Sequence, residues 1–217
     1  MNLNMEESVP IEIRFEHDLI NPVTESGLLN SNLESINFDK PNFIDESVHI
    51  KLHVPEKIKI ILVGDHGVGK TSLIYRLKYD LFDPLAKSPN GYEVTLKDFQ
   101  LHEKNYTLQF WDYNVEEKYE KVIKAFYRDA NIILFCFDLS NLLSLENIDN
   151  YLEIAKTYIN SNCSAFLIGT KKDVIPLVVS KEEIEKICNR EKIQFFELSA
   201  INDSNCDEFL KKVIRSN

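Results

Sequence analysis

Hydrophobic positions follow two regimes along this chain. From residue 58 onward, short unbroken apolar runs alternate with segments in which apolar residues recur every three or four positions. Ile58-Lys59-Ile60-Ile61-Leu62-Val63, Ile132-Ile133-Leu134-Phe135-Cys136-Phe137 and Ala165-Phe166-Leu167-Ile168 are runs of the first kind. Continuous apolar character is what a strand covered on both faces of a parallel sheet requires. Val94–Leu101 and Thr107–Trp111 read as a strand pair, and Gln194–Leu198 as a further strand. The helical spacing predicts helices over Ser72–Leu77, Glu117–Asp129, Leu143–Ile159, Lys181–Arg190 and Cys206–Ile214. Strands alternating with helices predict an α/β fold, a doubly wound and mostly parallel six-stranded sheet.

Residues 1–47 lack this order. They are rich in Asn, Ser, Glu and Asp with little periodicity, which predicts an extension that is largely disordered. Two short alternating segments, Ile11–Glu16 and Val48–Val54, could each form a half-buried strand. The domain boundary is expected between an acidic extension, residues 1–56, and a folded domain, residues 57–217.

Charge sharpens that division. The 217-residue chain carries a net charge of −10. Residues 1–56 hold eleven acidic and three basic side chains, a net −8, so the remaining 161 residues are nearly neutral at −2. An acidic arm argues against nucleic acid and anionic membrane as partners. The folded part is long enough to bury about 70% of its unfolded surface. The four cysteines, Cys136, Cys163, Cys188 and Cys206, form no C-x-x-C pair and have no histidine at metal-ligand spacing, so reduced thiols in a cytoplasmic protein are expected. No apolar stretch is long enough to span a bilayer.

Candidate chemistry begins directly after the first apolar run. Gly64-Asp65-His66-Gly67-Val68-Gly69-Lys70-Thr71 fits the phosphate-loop pattern G-x-x-x-x-G-K-[ST], between an expected strand and a helix opening at Ser72. Glycines without Cβ atoms let the backbone curl so that its N–H groups and the helix N-terminus face an anion. Lys70 can reach β- and γ-phosphates, and the Thr71 hydroxyl can ligate Mg²⁺. The plainer alternative is a glycine-rich turn that merely opens a helix.

Three further segments fall at expected strand ends, where ligands of such sheets bind. Asp112 can hold Mg²⁺ directly or through water. In Thr170-Lys171-Lys172-Asp173, the carboxylate of Asp173 can accept from the ring N–H and exocyclic amine of guanine, a pair adenine lacks, while the Lys171 stem can lie over the base. In Ser199-Ala200, 26 residues beyond Asp173, a backbone N–H can donate to the guanine carbonyl oxygen. Read alone, each is equally a strand end, a charged loop or a turn.

Together these residues resemble the Ras superfamily of small GTPases over Lys57–Asn217. The resemblance implies a P-loop NTPase G domain binding GTP or GDP with Mg²⁺, and partners in the form of effectors, an exchange factor and an activating protein acting through the switch segments. It assigns Ser72 to the nucleotide site beside the loop, Phe82 to the guanine edge, and Asn90 to the first switch, where Ser88 is an alternative. Lys70 would serve catalysis as well as binding. Phe126-Tyr127-Arg128-Asp129-Ala130 resembles the Rab segment after the second switch. Phe135–Ser140 and Phe166–Asp173 look most similar to fungal septation-initiation GTPases and other divergent Rab-like proteins. Thr170 stands where most members carry Asn, as in Rho-type members. The C-terminus lacks the prenylation cysteine, so no direct lipid anchor is expected and any membrane or organelle would be reached through a partner.

Departures from the family bear on mechanism. The switch motif Trp-Asp-x-x-Gly-Gln reads Trp111-Asp112-Tyr113-Asn114-Val115-Glu116 here, and the switch I threonine position falls within Ser88-Pro89-Asn90. Val115 restricts backbone that must swing. Glu116 replaces the water-orienting glutamine, and its charge beside a γ-phosphate would be opposed by about 4 kcal/mol at an effective dielectric of 20, so it is expected to point to solvent. His66 adds bulk to the loop. Two readings stay open: a GTP/GDP switch with slow hydrolysis, and a pseudo-GTPase scaffold that binds nucleotide without turnover. A P-loop kinase or ATPase conflicts with Thr170–Asp173.

Overall fold

A computed structural model of the chain describes residues 54–114, 120–202 and 205–216. The acidic extension, with its two alternating segments, lies outside the described residues apart from its last three, Val54 among them, and so do Val115 and Glu116.

The described residues form twelve elements: β1 (Glu56–Val63), α1 (Lys70–Tyr79), β2 (Gly91–Leu101), β3 (Lys104–Asn114), α2 (Glu120–Tyr127), β4 (Ile132–Asp138), α3 (Leu142–Glu146), α4 (Ile148–Tyr158), β5 (Ser164–Thr170), α5 (Lys181–Glu191), β6 (Gln194–Glu197) and α6 (Cys206–Arg215). They form one six-stranded sheet in the order β2-β3-β1-β4-β5-β6, with only the β2–β3 pair antiparallel. The expected mostly parallel, doubly wound sheet is therefore present.

The apolar runs are continuous because the pleat sends alternate residues to two cores. Ile58, Ile60 and Leu62 of β1 and Leu134 and Cys136 of β4 pack beneath α1 and α6, against Leu73, Leu77, Phe209 and Val213. Ile61, Val63, Ile133, Phe135 and Phe137 face the other way, toward Phe126, Leu145, Leu152 and Ile184 of α2 to α5. Burying one such side chain stabilises the fold by roughly 1.5–3 kcal/mol. Lys59, exposed in part within β1, anchors the end of α2: its ammonium donates to the Arg128 carbonyl at 2.7 Å and lies 4.2 Å from the centre of the Trp111 ring.

Three boundaries differ from the sequence expectation. The single helix expected over Leu143–Ile159 is divided at Asn147, whose side chain donates to Asp65 in the phosphate loop at 2.7 Å. Apolar periodicity continues through that point and gives no warning of the break. The β2–β3 pair is longer than its alternation suggested, because the antiparallel ladder runs unbroken from Gly91↔Asn114 to Leu101↔Lys104. As a consequence Asp112 does not end its strand. It is instead the last residue of β3 to pair with β1, opposite Leu62, so it still marks the end of the parallel ladder.

Candidate nucleotide site

The phosphate loop crosses from β1 to α1 along the carboxyl edge of the sheet. At Gly64 a Cβ would stand 2.0 Å from the Cys136 carbonyl oxygen, so the loop leaves β1 by passing directly over β4. Gly69 caps α1 in the left-handed region at φ 103°, which turns the chain into the helix without a side chain in the way. Val68 is buried in the core, and His66 is exposed at the tip. The helix N-terminus carries the partial positive charge of its unpaired N–H groups.

Lys70 is 5% exposed, and its ammonium donates to the carbonyls of Gly64 and Asp65 at 2.7 and 2.8 Å. Burial pushes its pKa down, with partial return from Asp112 and Asp65. The Asp65 carboxylate accepts from Asn147 and, at 3.0 Å, from the Tyr151 hydroxyl, so it braces the loop against α4 rather than facing outward.

On the β3 side the Thr71 hydroxyl donates to Oδ2 of Asp112. Asp112 is 4% exposed and its Oδ1 has no partner among the described residues. Burial raises its pKa, opposed by the Thr71 hydrogen bond and by Lys70. A divalent cation fits this pair: an orphaned carboxylate oxygen and a hydroxyl are hard donors of the kind Mg²⁺ takes. Among the described residues no group of three His, Cys, Asp or Glu side chains could hold a metal, so phosphate oxygens and water would complete the shell. A cavity of about 190 Å³ adjoins the pair, lined also by Lys87, Glu93 and Thr95. Asn90, the expected switch I contact, is exposed and is not among the residues lining that cavity. The antiparallel ladder instead turns Glu93 and Thr95 toward it. The Cβ-bearing residues of β2 alternate, and Glu93 lies directly opposite Asp112.

A second cavity of about 160 Å³ opens beyond the loop, with Gly69, Ser72, Phe82, Lys171, Asp173 and Ala200 in its walls. Leu73 and Leu198 make its floor apolar. Ser199 is buried and donates to Asp173 Oδ1 at 2.5 Å, while its own oxygen accepts from the Asn202 N–H at 3.0 Å. Lys171, in the left-handed region at φ 57°, pairs with Asp138 at 2.7 Å, and its stem passes the place a Gly69 Cβ would occupy. Although burial opposes it, hydrogen bonds from Lys171 and Ser140 hold the Asp138 pKa below the usual carboxylate value. The Thr170 hydroxyl lies 2.5 Å from the Val68 carbonyl and 2.8 Å from that of Phe137; with one proton it donates to one at a time, bridging loop and sheet.

The fold thus gathers the loop, Thr71 with Asp112, and the Phe82–Asp173–Ala200 walls along one edge. Four participants were missed from sequence. Asn147 and Tyr151 brace Asp65, Asp138 holds Lys171, and Arg76 bonds the carbonyls behind Ala200. Asp138 was within reach, since it ends a strand at the same edge. Arg76 was signalled by a charge within the apolar stripe of Leu73 and Leu77.

A strand, a glycine loop closing on a buried lysine, and a helix make this a P-loop nucleotide-binding protein. The Ras family pattern matches residues 59–217. The chain is 32% identical to Ras-related protein Rab-13 of Rattus norvegicus over 158 residues, covering 72% of this chain and 78% of that protein. It is 31% identical to Ras-related protein YPTC6 of Chlamydomonas reinhardtii over 157 residues, 72% and 73% of the two chains. Identity to GTP-binding protein ypt3 of Schizosaccharomyces pombe is 32% over 157 residues, again 72% and 73%. The chain belongs to the Ras family of small GTPases, on its Rab-like side, whose members bind GTP and GDP with Mg²⁺. Among the described residues no helix is long and apolar enough to cross a membrane.

Proposed function

We propose that this Rab-like small GTPase is a GTP/GDP switch that hydrolyses GTP slowly by itself and depends on an activating partner for turnover. The observation that carries this reading is the pairing of a fully assembled phosphate loop and base cavity with altered switch residues, Pro89 and Asn90 before β2 and Val115 and Glu116 after β3. In this reading Lys70 and the loop N–H groups hold the phosphates, Thr71 and Asp112 hold Mg²⁺, and Asp173 with the Ala200 N–H selects guanine. Losing one preorganised transition-state donor costs on the order of 10²–10³ in rate, on top of an intrinsic rate that is slow throughout the family.

Effectors and regulators would meet the switch side of the sheet. The outward face of β2 presents Tyr92, Val94 and Leu96 in alternation, all exposed, with Tyr92 stacked 5.7 Å from Trp111. In this reading the acidic extension is a candidate docking arm for such a partner. Removing residues 1–47 should then change partner binding or nucleotide exchange; unchanged values would count against the arm.

The second reading, a scaffold that keeps nucleotide without turnover, is favoured specifically by Glu116, whose charge repels a γ-phosphate. The experiment that separates the two is the nucleotide content of the purified protein followed by single-turnover GTP hydrolysis with Mg²⁺. Slow conversion to GDP supports the switch. Bound GTP that never converts supports the scaffold. Failure to bind guanine nucleotide would overturn both.

A further inference from the structure

Arg76 is 9% exposed, yet its one carboxylate neighbour among the described residues, Asp80, is 3.6 Å away and 78% exposed. The guanidinium is satisfied chiefly by three backbone carbonyls. Nε donates to Ala200 at 2.6 Å, one terminal nitrogen to Ile201 at 2.9 Å, and the other to Asp80 at 2.7 Å. Bonds from an ionised donor at these lengths are among the stronger hydrogen bonds of a protein. The guanidinium spreads these three bonds over three nitrogens fixed in one plane, whereas a lysine would have to meet all three carbonyls from a single nitrogen.

Two of the three carbonyls belong to residues that line the base cavity, and the third lies two residues before another, Phe82. Ala200 and Ile201 line one side. Asp80 is the left-handed residue that ends α1 and leads through Leu81 to Phe82 on the other. The first wall is also held from its far end, where Ser199 bonds Asp173 and the Asn202 N–H. The guanidinium thereby holds the Ala200–Ile201 and Ile201–Asn202 peptides by their carbonyls, and the Ser199 hydroxyl holds the second of them by its N–H.

We propose that Arg76 is the positioning residue for guanine recognition, clamping the Ser199–Ile201 turn so that the Ala200 N–H is held where the O6 carbonyl of the base arrives. This inference rests on the guanine reading of the cavity given above. Arg76 does not itself touch the base; it acts through the turn and, through Asp80, through the placement of Phe82. A lysine here keeps the charge and most of the stem but loses the fork.

The test uses the full-length chain with Mg²⁺ and two probes, GDP and 6-thio-GDP, whose sulfur is a poor acceptor for the Ala200 N–H. R76K is expected to release GDP about tenfold faster. Its preference for GDP over 6-thio-GDP should fall toward unity, because the lost interaction is the one to O6. A purely structural role would weaken both nucleotides by the same factor, so R76K retaining the wild-type ratio overturns the inference. If R76K does not stay folded at the assay temperature, R76Q, which keeps one donor for the Ala200 carbonyl, takes the same measurement with the same two outcomes. Wild-type protein that fails to prefer GDP over ADP would overturn the guanine reading itself, and this inference with it.

Discussion

Thr71 donates its hydroxyl proton to one oxygen of Asp112 and leaves the other oxygen buried without a partner among the described residues. A carboxylate in that state is costly unless a cation meets it. Asp112→Asn keeps the shape and removes the charge. It should raise the Mg²⁺ concentration needed for half-maximal retention of bound GDP by about 10- to 100-fold. Release of a fluorescent GDP across a Mg²⁺ titration measures this, and an unchanged midpoint would remove Asp112 from the cation site.

The loop glycines should differ sharply in tolerance. Gly64→Ala drives a Cβ into the Cys136 carbonyl, backbone that cannot step aside, and should destabilise the protein by about 3 kcal/mol or more. Gly67 has φ +77° with open space around it, so Gly67→Ala meets only left-handed strain of about 1–2 kcal/mol. Urea unfolding of the two variants tests the order.

The Lys171–Asp138 pair has a pH signature. A carboxyl group whose folded pKa is depressed stabilises the fold above its unfolded value near 3.8, and that stabilisation is lost as pH falls through the folded pKa. Lys171→Met removes a bond that depresses it. The variant should then be less stable at neutral pH, and its fall in stability below about pH 4 should be shallower than in the wild type, the two profiles converging in acid, with little change near neutrality in the slope against pH. Denaturation midpoints between about pH 3 and 7 provide the test.

Base selectivity should follow Asp173. Asn in its place presents an amide donor where, in the guanine reading, the carboxylate accepts two hydrogen bonds from the base, and a site built around such bonds discriminates by roughly 10⁴–10⁵. Asp173→Asn should weaken GDP by at least 10²-fold and improve xanthosine diphosphate, which carries a carbonyl in place of the exocyclic amine. Competition binding of the two diphosphates would reveal a preference that fails to move.

Hydrolysis should respond to the second switch. Glu116→Gln restores a neutral group able to orient water and removes like-charge repulsion. Single-turnover GTP hydrolysis should accelerate by roughly 10²-fold. No change would mean that Val115 or the altered first switch limits the reaction, and it would favour the scaffold reading.

Much of the architecture was legible because apolar periodicity reports burial directly. Runs such as Ile132–Phe137 required two-faced cover, and the sheet supplies it with separate cores on either side. The phosphate loop was legible for another reason: its geometry depends on local backbone freedom, and glycine spacing records that in a few consecutive residues. The break at Asn147 was not, since an asparagine in a helical pattern has no visible consequence until Asp65 lies beside it. The lining of the cavity beside Thr71 and Asp112 was not legible either, because only the β2–β3 register sets Glu93 across from Asp112.

The sequence by itself determined the order of strands and helices, the position of the phosphate loop and the family, all properties of contiguous residues. Tertiary structure decided which distant groups meet: Arg76 with Ala200, Asp65 with Tyr151, Lys171 with Asp138. The physical reason is that hydrophobic burial is nearly non-directional and so writes itself into composition and spacing. Hydrogen bonds and ion pairs depend on distance and angle between atoms that the chain brings together only once it has folded.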